Sequence, residues 1–258
     1  VSGNLTTQWD MKYAEEYGLL KMDFLGLRTL SILNEAVAQV KLTRNVEVDL
    51  DTIALDDKKT FELFCNADTE GVFQLESSGM RALLSNLQPS VYEDIIAVLA
   101  LYRPGPLGSG LHEIFTRRKH GKEEVCYDHP ILEPILKETY GVLIYQEQIM
   151  RVAQQMGGFD LGDADNLRKA MGKKKISLMR KFKGKFIDGA SAQKVDIAIS
   201  TKIWKMMVKF AEYGFNKSHA VAYSMISYQT AWLATYYNAE WACSFLDKEP
   251  EAKKEAAI

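Results

Sequence analysis

Near the start of the chain, apolar and charged residues alternate with a period of two. The alternation covers Leu19–Leu25 and predicts a short strand, because successive side chains of a strand point to opposite faces. Lys21 and Asp23 fall on one face, and the apolar side chains fall on the other. Gly26 ends the strand. The sequence therefore predicts a rigid element that presents a base and an acid side by side.

Most of the remaining chain has the spacing of helices. After Gly26, apolar residues recur every three or four positions as far as Val40, which predicts an amphipathic helix directly behind the strand. Thr60 and Ser90 are predicted to cap two later helices, and Arg103-Pro104-Gly105-Pro106 ends the second of these near Tyr102.

The second half of the chain contains further helical segments. A short strand is predicted at Gly141–Tyr145 and a helix at Gln146–Met156, followed by a helix capped by Asp163. Two more helices are predicted, one ending near Tyr213 and one spanning about Ser218 to Tyr237. The predicted fold class is mainly α with a few short strands (α+β).

Composition restricts the class of protein. The chain has 258 residues, of which 47% are hydrophobic and 26% charged, as in ordinary globular proteins. No apolar run approaches the roughly 20 residues that cross a bilayer, and the start does not resemble a signal peptide. Cys65, Cys126 and Cys243 are too few and too widely spaced for a disulfide framework, so a reducing cytoplasmic location is expected.

Three histidines and one cysteine are the nearest approach to a metal-binding cluster in the sequence. They are His112, His120, Cys126 and His129. Their spacing matches no zinc signature, so the sequence favours ordinary helix and loop residues over a metal site.

Positive charge is concentrated in one part of the chain. Residues 161–219 contain fourteen Lys or Arg and five Asp or Glu, whereas the whole chain has a net charge of −2. Such a block is typical of an anion-binding surface, and a solvated basic helix face is the alternative.

Four groups of residues are candidates for chemistry. Lys21 and Asp23 suit phosphoryl transfer, which needs carboxylates for divalent metals and a cation for the triphosphate. Arg168, Lys169 and Lys173 belong to a run of cations around Gly172 that is not a P-loop but suits phosphates.

The other two groups are Arg103, held by two prolines, and the segment Phe215–His219. Rigid presentation suits a guanidinium that meets a planar or phosphate partner, although a structural arginine is equally compatible. In the second group, Asn216, Lys217, Ser218 and His219 would begin a helix with free N–H groups for a phosphate, and Phe215 would stack on a base or sugar. A plain helix cap is the alternative.

Six segments of the chain, in this order, resemble the alpha subunit of bacterial DNA polymerase III, the family C replicative polymerases. They are Gly18–Leu27 (GLLKMDFLGL), Thr69–Leu84 (TEGVFQLESSGMRALL), Ala97–Leu107 (AVLALYRPGPL), Glu138–Met150 (ETYGVLIYQEQIM), Ala164–Lys175 (ADNLRKAMGKKK) and Tyr213–Tyr223 (YGFNKSHAVAY). The resemblance covers about Tyr17 to Leu246.

The resemblance implies a nucleotidyltransferase-type palm followed by helical fingers. Residues 1–28 would be the end of the palm, 29–247 the fingers and 248–258 a tail. Asp23 would be the third metal-binding aspartate and Lys21 a palm lysine near the triphosphate. Arg168 would lie at the nucleotide-contacting arginine pair, where Lys169 replaces a frequent second arginine.

The implied reaction is template-directed addition of a deoxynucleotide to a primer 3′-hydroxyl with two Mg²⁺ ions. Primer–template DNA and a deoxynucleoside triphosphate would be the partners, and a sliding clamp and a proofreading subunit would bind outside this chain. No Asp-x-Asp segment precedes Asp23. We therefore expect a piece of a longer enzyme that is inactive alone.

Two other classes remain possible from the sequence. One is an autonomous helical module that binds nucleotide or DNA without catalysis, and the other is a helical scaffold without ligands.

Overall fold

Helices make up nearly all the regular structure of the described chain, which comprises residues 3, 5–20, 22, 24–172, 176–210 and 214–248 of a computed structural model. Within these ranges the α-helices are α1 Met11–Glu16, α2 Arg28–Arg44, α3 Lys58–Asn66, α4 Ser78–Leu87, α5 Tyr92–Leu101, α6 Pro104–Gly108, α7 Leu111–Lys119, α8 Glu133–Leu136, α9 Gln146–Gln155, α10 Leu161–Gly172, α11 Ile176–Ala192, α12 Ile197–Phe210, α13 Lys217–Tyr236 and α14 Asn238–Lys248. Short 3₁₀ helices flank α8 at Pro130–Leu132 and Lys137–Thr139.

The helices form two lobes with separate cores. The first lobe contains α3, α4, α5 and α7 around the middle of α13, with α2 and α14 packed on the end of α13. The second lobe contains α8 to α12 around an apolar core that includes Phe186 and Trp204. None of the helices in the described ranges is long and apolar enough to cross a membrane.

Helix α13 organises the first lobe through buried hydroxyl groups. Tyr228 is fully buried, and its hydroxyl donates to the carbonyl of Ala54 (2.8 Å) and accepts from the N–H of Asp57 (3.1 Å). Ser227 donates to the carbonyl of Phe73 (2.9 Å), and the N–H of Phe73 donates to Thr230 (3.2 Å). Because buried polar groups must be paired, these bonds fix the Phe73 loop against α13.

The predicted strand at Gly141–Tyr145 is wrong. Val142, Leu143 and Ile144 are buried, which explains the strand-like pattern, but the segment makes only an isolated parallel bridge between Tyr145 and Phe215. The side-chain Oε1 of Gln148 accepts from the N–H groups of Ile144 (2.8 Å) and Tyr145 (3.0 Å). This side chain takes the place of a neighbouring strand.

The described residues of Leu19–Leu25 also form no strand. Leu20 and Phe24 are 88% and 92% exposed. A strand needs a neighbouring strand for its backbone N–H and C=O groups, and the described part of the chain offers none there. The α+β class is therefore not seen, and the observed fold is mainly helical.

Several helix boundaries differ from the predictions. Thr60 does not cap α3; the carboxylate of Asp57 does, by accepting from the N–H of Thr60 (2.8 Å). Asp163 likewise does not cap α10. The carboxylate of Asp160 does, by accepting from the N–H of Asp163 (2.7 Å). The helix predicted to end near Tyr213 is two helices, α11 and α12, because Lys194 adopts a positive φ of 62° between them.

A buried glutamate, Glu240, joins α14 to α2. We expect it to make the stability of the protein sensitive to acid. Glu240 accepts hydrogen bonds from Arg44 (2.7 Å) and Thr43 (2.8 Å), which lower the pKa of its carboxyl from 4.5 to about 2. This stabilisation is complete above pH 4.5 and is lost as the pH falls towards 2. We expect Glu240→Gln to lower the urea midpoint at pH 6 and to have little effect at pH 2. An equal loss at both pH values would contradict this.

Candidate functional site

A cleft of about 550 Å³ lies where the N-terminal end of α13 meets the α5–α6 junction and the Phe73 loop. We call it the α13 cleft. Its lining includes Phe73, Gln74, Glu76, Tyr102, Arg103, Phe215, His219 and Tyr223. Three of these, Arg103, Phe215 and His219, are residues that the sequence singled out.

Arg103 and Phe215 meet in this cleft although they are far apart in the chain. The guanidinium carbon of Arg103 lies 4.3 Å from the centre of the Phe215 ring, a cation–π contact. Arg103 also donates through Nε to the carbonyl of Ala100 (3.0 Å), and Pro104 fixes the backbone that follows. Partial burial lowers the pKa of the Arg103 guanidinium. The arginine is thus held in one orientation beside the aromatic ring.

The aromatic side chains of the cleft form a continuous row. The ring centres of Phe215 and His219 are 5.4 Å apart, those of His219 and Tyr223 4.1 Å, and those of Tyr223 and Phe73 5.3 Å. His219 and Tyr223 share a face of α13 because they are four residues apart. Such a row offers stacking surface to a planar ligand, since every nucleobase has a π face.

The start of α13 is already occupied by protein groups. The Asn216 Oδ1 accepts from the N–H of His219 (2.8 Å), and Glu147 Oε2 accepts from the N–H of Lys217 (2.9 Å). The expectation of free N–H groups is therefore wrong at these two amides. The Lys217 ammonium pairs with Glu138 (2.7 Å), whereas Ser218 is exposed.

Arg168 and Lys169 lie together on α10, beside the segment that leads to the cleft. Arg168 donates to Asp165 Oδ1 through Nε (3.0 Å) and Nη2 (2.8 Å), and Lys169 Nζ lies 2.6 Å from Asp165 Oδ2. Hydrogen bonds from Lys169 and Arg168 lower the pKa of Asp165. Arg168 Nη1 also donates to Gln146 (3.2 Å), whose side chain donates to the Gly214 carbonyl (3.1 Å).

Three predicted residues, Lys21, Asp23 and Lys173, lie outside the described residues. Within the described ranges, no three His, Cys, Asp or Glu side chains are grouped so that they could hold a metal ion. The roles of all the predicted site residues stay predictions, as does Mg²⁺.

Two histidines of the weak metal-site candidate, which comprises His112, His120, Cys126 and His129, contact nearby backbone groups. A ring nitrogen of His120 lies 3.1 Å from the carbonyl oxygen of Asn86, and His129 Nδ1 accepts from the N–H of Ile131 (3.3 Å).

Four residues in or beside the cleft were not predicted from the sequence. Tyr223 was detectable, because it follows His219 at helical spacing. Gln146 and Glu147 lie within the segment Glu138–Met150, but no pattern there marks them as site residues. Phe73 reaches the cleft only through the fold.

The described chain is thus a mainly helical domain with a cleft in which aromatic rings lie beside Arg103. The chain belongs to the bacterial DNA polymerase III alpha subunit finger domain family, whose profile matches residues 29–194. It is 51% identical over 252 residues to DNA polymerase III subunit alpha of Aquifex aeolicus, which covers 98% of this chain and 22% of the relative.

Two further relatives agree with this. The chain is 47% identical over 248 residues to DNA polymerase III subunit alpha of Helicobacter pylori strain J99, covering 96% of this chain and 20% of the relative. It is 49% identical over 253 residues to the same subunit of Pseudomonas aeruginosa, covering 95% and 22%. The chain thus spans about a fifth of the length of these relatives.

Proposed function

We propose that this chain is the finger element of a template-directed DNA polymerase and that the α13 cleft receives the incoming nucleotide. The observation that carries the proposal is the contact of Arg103 with Phe215, at the end of a row of aromatic rings. The rings would supply a stacking surface for the base, and Arg168 of α10, linked through Gln146 to the loop that carries Phe215, would face the triphosphate.

The proposal includes the segment before α2 as the end of a palm. The exposed Leu20, Met22 and Phe24 support it, because a group of large exposed apolar side chains marks a surface that contacts a partner. Asp23 would then hold Mg²⁺ together with the other two aspartates that the family resemblance implies. One carboxylate does not hold two ions, so we expect the 258-residue chain with primer–template DNA and Mg²⁺ to extend no primer.

A measurement of nucleotide affinity tests whether the α13 cleft is a nucleotide site. We expect the chain to bind a fluorescently labelled dATP in the presence of Mg²⁺ and expect Arg103→Ala to weaken this binding about tenfold, which is 1.4 kcal/mol. Arg103→Lys should also weaken it, because lysine lacks the planar guanidinium. Arg151→Ala, at an exposed position of α9, is the control and should leave the affinity unchanged. Absence of binding, or equal affinities for Arg103→Ala and the unsubstituted chain, would refute the nucleotide site.

The exposed cations of α11 and α12 support DNA as a second partner. Between residues 176 and 210 there are eight Lys or Arg and two Asp or Glu. Lys205 and Lys209 are exposed and share a face of α12. We expect the pair of changes Lys205→Ala and Lys209→Ala to reduce the slope of log affinity for DNA against log salt by about two, while Lys58→Ala on α3 leaves it unchanged. An unchanged slope in the double variant would exclude this surface.

An autonomous nucleotide-binding module is the second candidate, because the α13 cleft is formed entirely by described residues without Asp23. The two candidate functions predict different results for a substitution of Asp23 in a longer protein that contains this segment. Asp23→Asn there should abolish primer extension if the segment belongs to a polymerase. The same substitution should leave nucleotide binding unchanged if the segment only binds nucleotide.

A further inference from the structure

Two adjacent residues at the start of α9, Gln146 and Glu147, hold the segment that begins α13. The N–H of Gln146 donates to the carbonyl of Phe215 (2.8 Å), and the N–H of Phe215 donates to the carbonyl of Ile144 (3.2 Å). The Phe215 backbone is therefore fixed by the segment that leads into α9, while its ring lines the cleft.

Glu147 places a negative charge at the start of α13. Its Oε1 accepts from Asn216 Nδ2 and its Oε2 accepts from the N–H of Lys217, both at 2.9 Å. A carboxylate here is favoured by the helix dipole, and hydrogen bonds to a charged acceptor are stronger than neutral ones. Asn216 already caps α13 by accepting from His219. Glu147 therefore does more than cap the helix: it ties the preceding loop to α9.

Gln146 links the same loop to Arg168. Its Oε1 accepts from Arg168 Nη1 (3.2 Å), and its Nε2 donates to the carbonyl of Gly214 (3.1 Å). The other guanidinium contacts of Arg168 go to Asp165. Its orientation is thus set from two sides. A single glutamine contacts both an arginine of α10 and the loop that carries Phe215.

We propose that Gln146 and Glu147 are positioning residues of the nucleotide site. Gln146 orients Arg168 towards the triphosphate, and Glu147 holds the loop so that Phe215 lies ready to stack. The negative charge of Glu147 also excludes a phosphate from the start of α13 and so leaves Arg168 as the phosphate contact. This inference rests on the proposed function.

The coupling of Gln146 to Arg168 is tested by paired substitutions, read as affinity of the 258-residue chain for labelled dATP with Mg²⁺. Gln146→Met keeps the size of the side chain and removes both hydrogen bonds. We expect it to weaken binding about tenfold, as for a lost hydrogen bond to a charged group. Gln155→Met, at the other end of α9, should have no effect.

In a chain that already carries Arg168→Ala, Gln146→Met should cause no further loss, because Gln146 acts through Arg168. A purely structural role would give the same loss with and without Arg168. Such additive losses would overturn the proposal for Gln146.

The role of Glu147 is measured without nucleotide, by amide hydrogen exchange. We expect Glu147→Gln to speed exchange at residues 215–219 about tenfold while the global unfolding midpoint stays the same, because local opening then costs less. Glu133→Gln, at an exposed position of α8, is the matched control. Unchanged exchange at residues 215–219 would overturn the role of Glu147.

The two proposals fail in different ways. If the unsubstituted chain binds no nucleotide, the proposed function fails, and with it the nucleotide role of Gln146 and Glu147. If the chain binds nucleotide but the exchange and coupling results are negative, only the positioning role fails.

Discussion

A Gly189→Ala variant should unfold at a much lower urea concentration than the unsubstituted chain. A Cβ atom at Gly189 would lie 1.9 Å from the carbonyl oxygen and 2.5 Å from the carbonyl carbon of Gly157. Both are backbone atoms, so α11 would have to move away from the end of α9. Overpacking of a core costs about 1–3 kcal/mol, and a clash with backbone belongs at the upper end, about 3 kcal/mol.

The same helix offers a matched control. Gly184 also lies in α11, but a Cβ there meets nothing within 4 Å. Gly184→Ala should raise the free energy of unfolding by up to about 1 kcal/mol through helix propensity. Similar midpoints for the two variants in urea unfolding followed by circular dichroism would contradict the close contact of α11 with Gly157.

Lys119→Met should destabilise the first lobe by about 3–5 kcal/mol, the range measured when one partner of a buried ion pair is removed. Lys119 Nζ lies 2.8 Å from Asp94 Oδ2, and the two side chains are 8% and 2% exposed. The Asp94 carboxylate also accepts from the N–H groups of Ser90 (2.8 Å) and Val91 (3.2 Å). Methionine would leave that charge buried without its cation.

Removing both charges should be milder than removing one. Asp94→Asn combined with Lys119→Met leaves no unpaired buried charge, so we expect the double variant to be more stable than Lys119→Met alone. Lys122→Met, at a nearby exposed lysine, should change the free energy of unfolding by no more than about 0.5 kcal/mol. A double variant less stable than Lys119→Met would contradict this account. Helix α5 leads directly into Arg103, so the proposed nucleotide binding should be lost with the fold.

The sequence predicted the helices whose apolar spacing is regular. The helix behind Gly26 is α2, and the helix predicted at Gln146–Met156 is α9, with Gly157 and Gly158 ending it. The prediction of a strand at Gly141–Tyr145 was wrong. The pattern of buried residues is the same whether the backbone N–H groups bond to a neighbouring strand or to the side chain of Gln148. The break between α11 and α12 was missed because it depends on the positive φ of Lys194, a residue type that rarely adopts it.

Two residues that line the α13 cleft, Arg103 and Phe215, were predictable one by one, but their arrangement was not. Arg103 was recognisable from its prolines, and Phe215 from its place before a helix start. That the two side chains stack is a result of how α5, α6 and α13 pack. The partner of the Lys217 amide, Glu147, is separated from it by α10, α11 and α12, so no local pattern indicates the contact.

The bonds that join α13 to the Phe73 loop also decide when the cleft is completed. Ser227 and Thr230 lie 154 and 157 residues after Phe73 in the chain. At the roughly 5–20 residues per second of protein synthesis, about 8–30 seconds separate the synthesis of the loop from that of its partners. We therefore expect the nascent chain to expose Phe73 and the walls of the cleft to solvent during that time, a period in which chaperones could bind them. The α13 cleft is completed only when α13 has been synthesised.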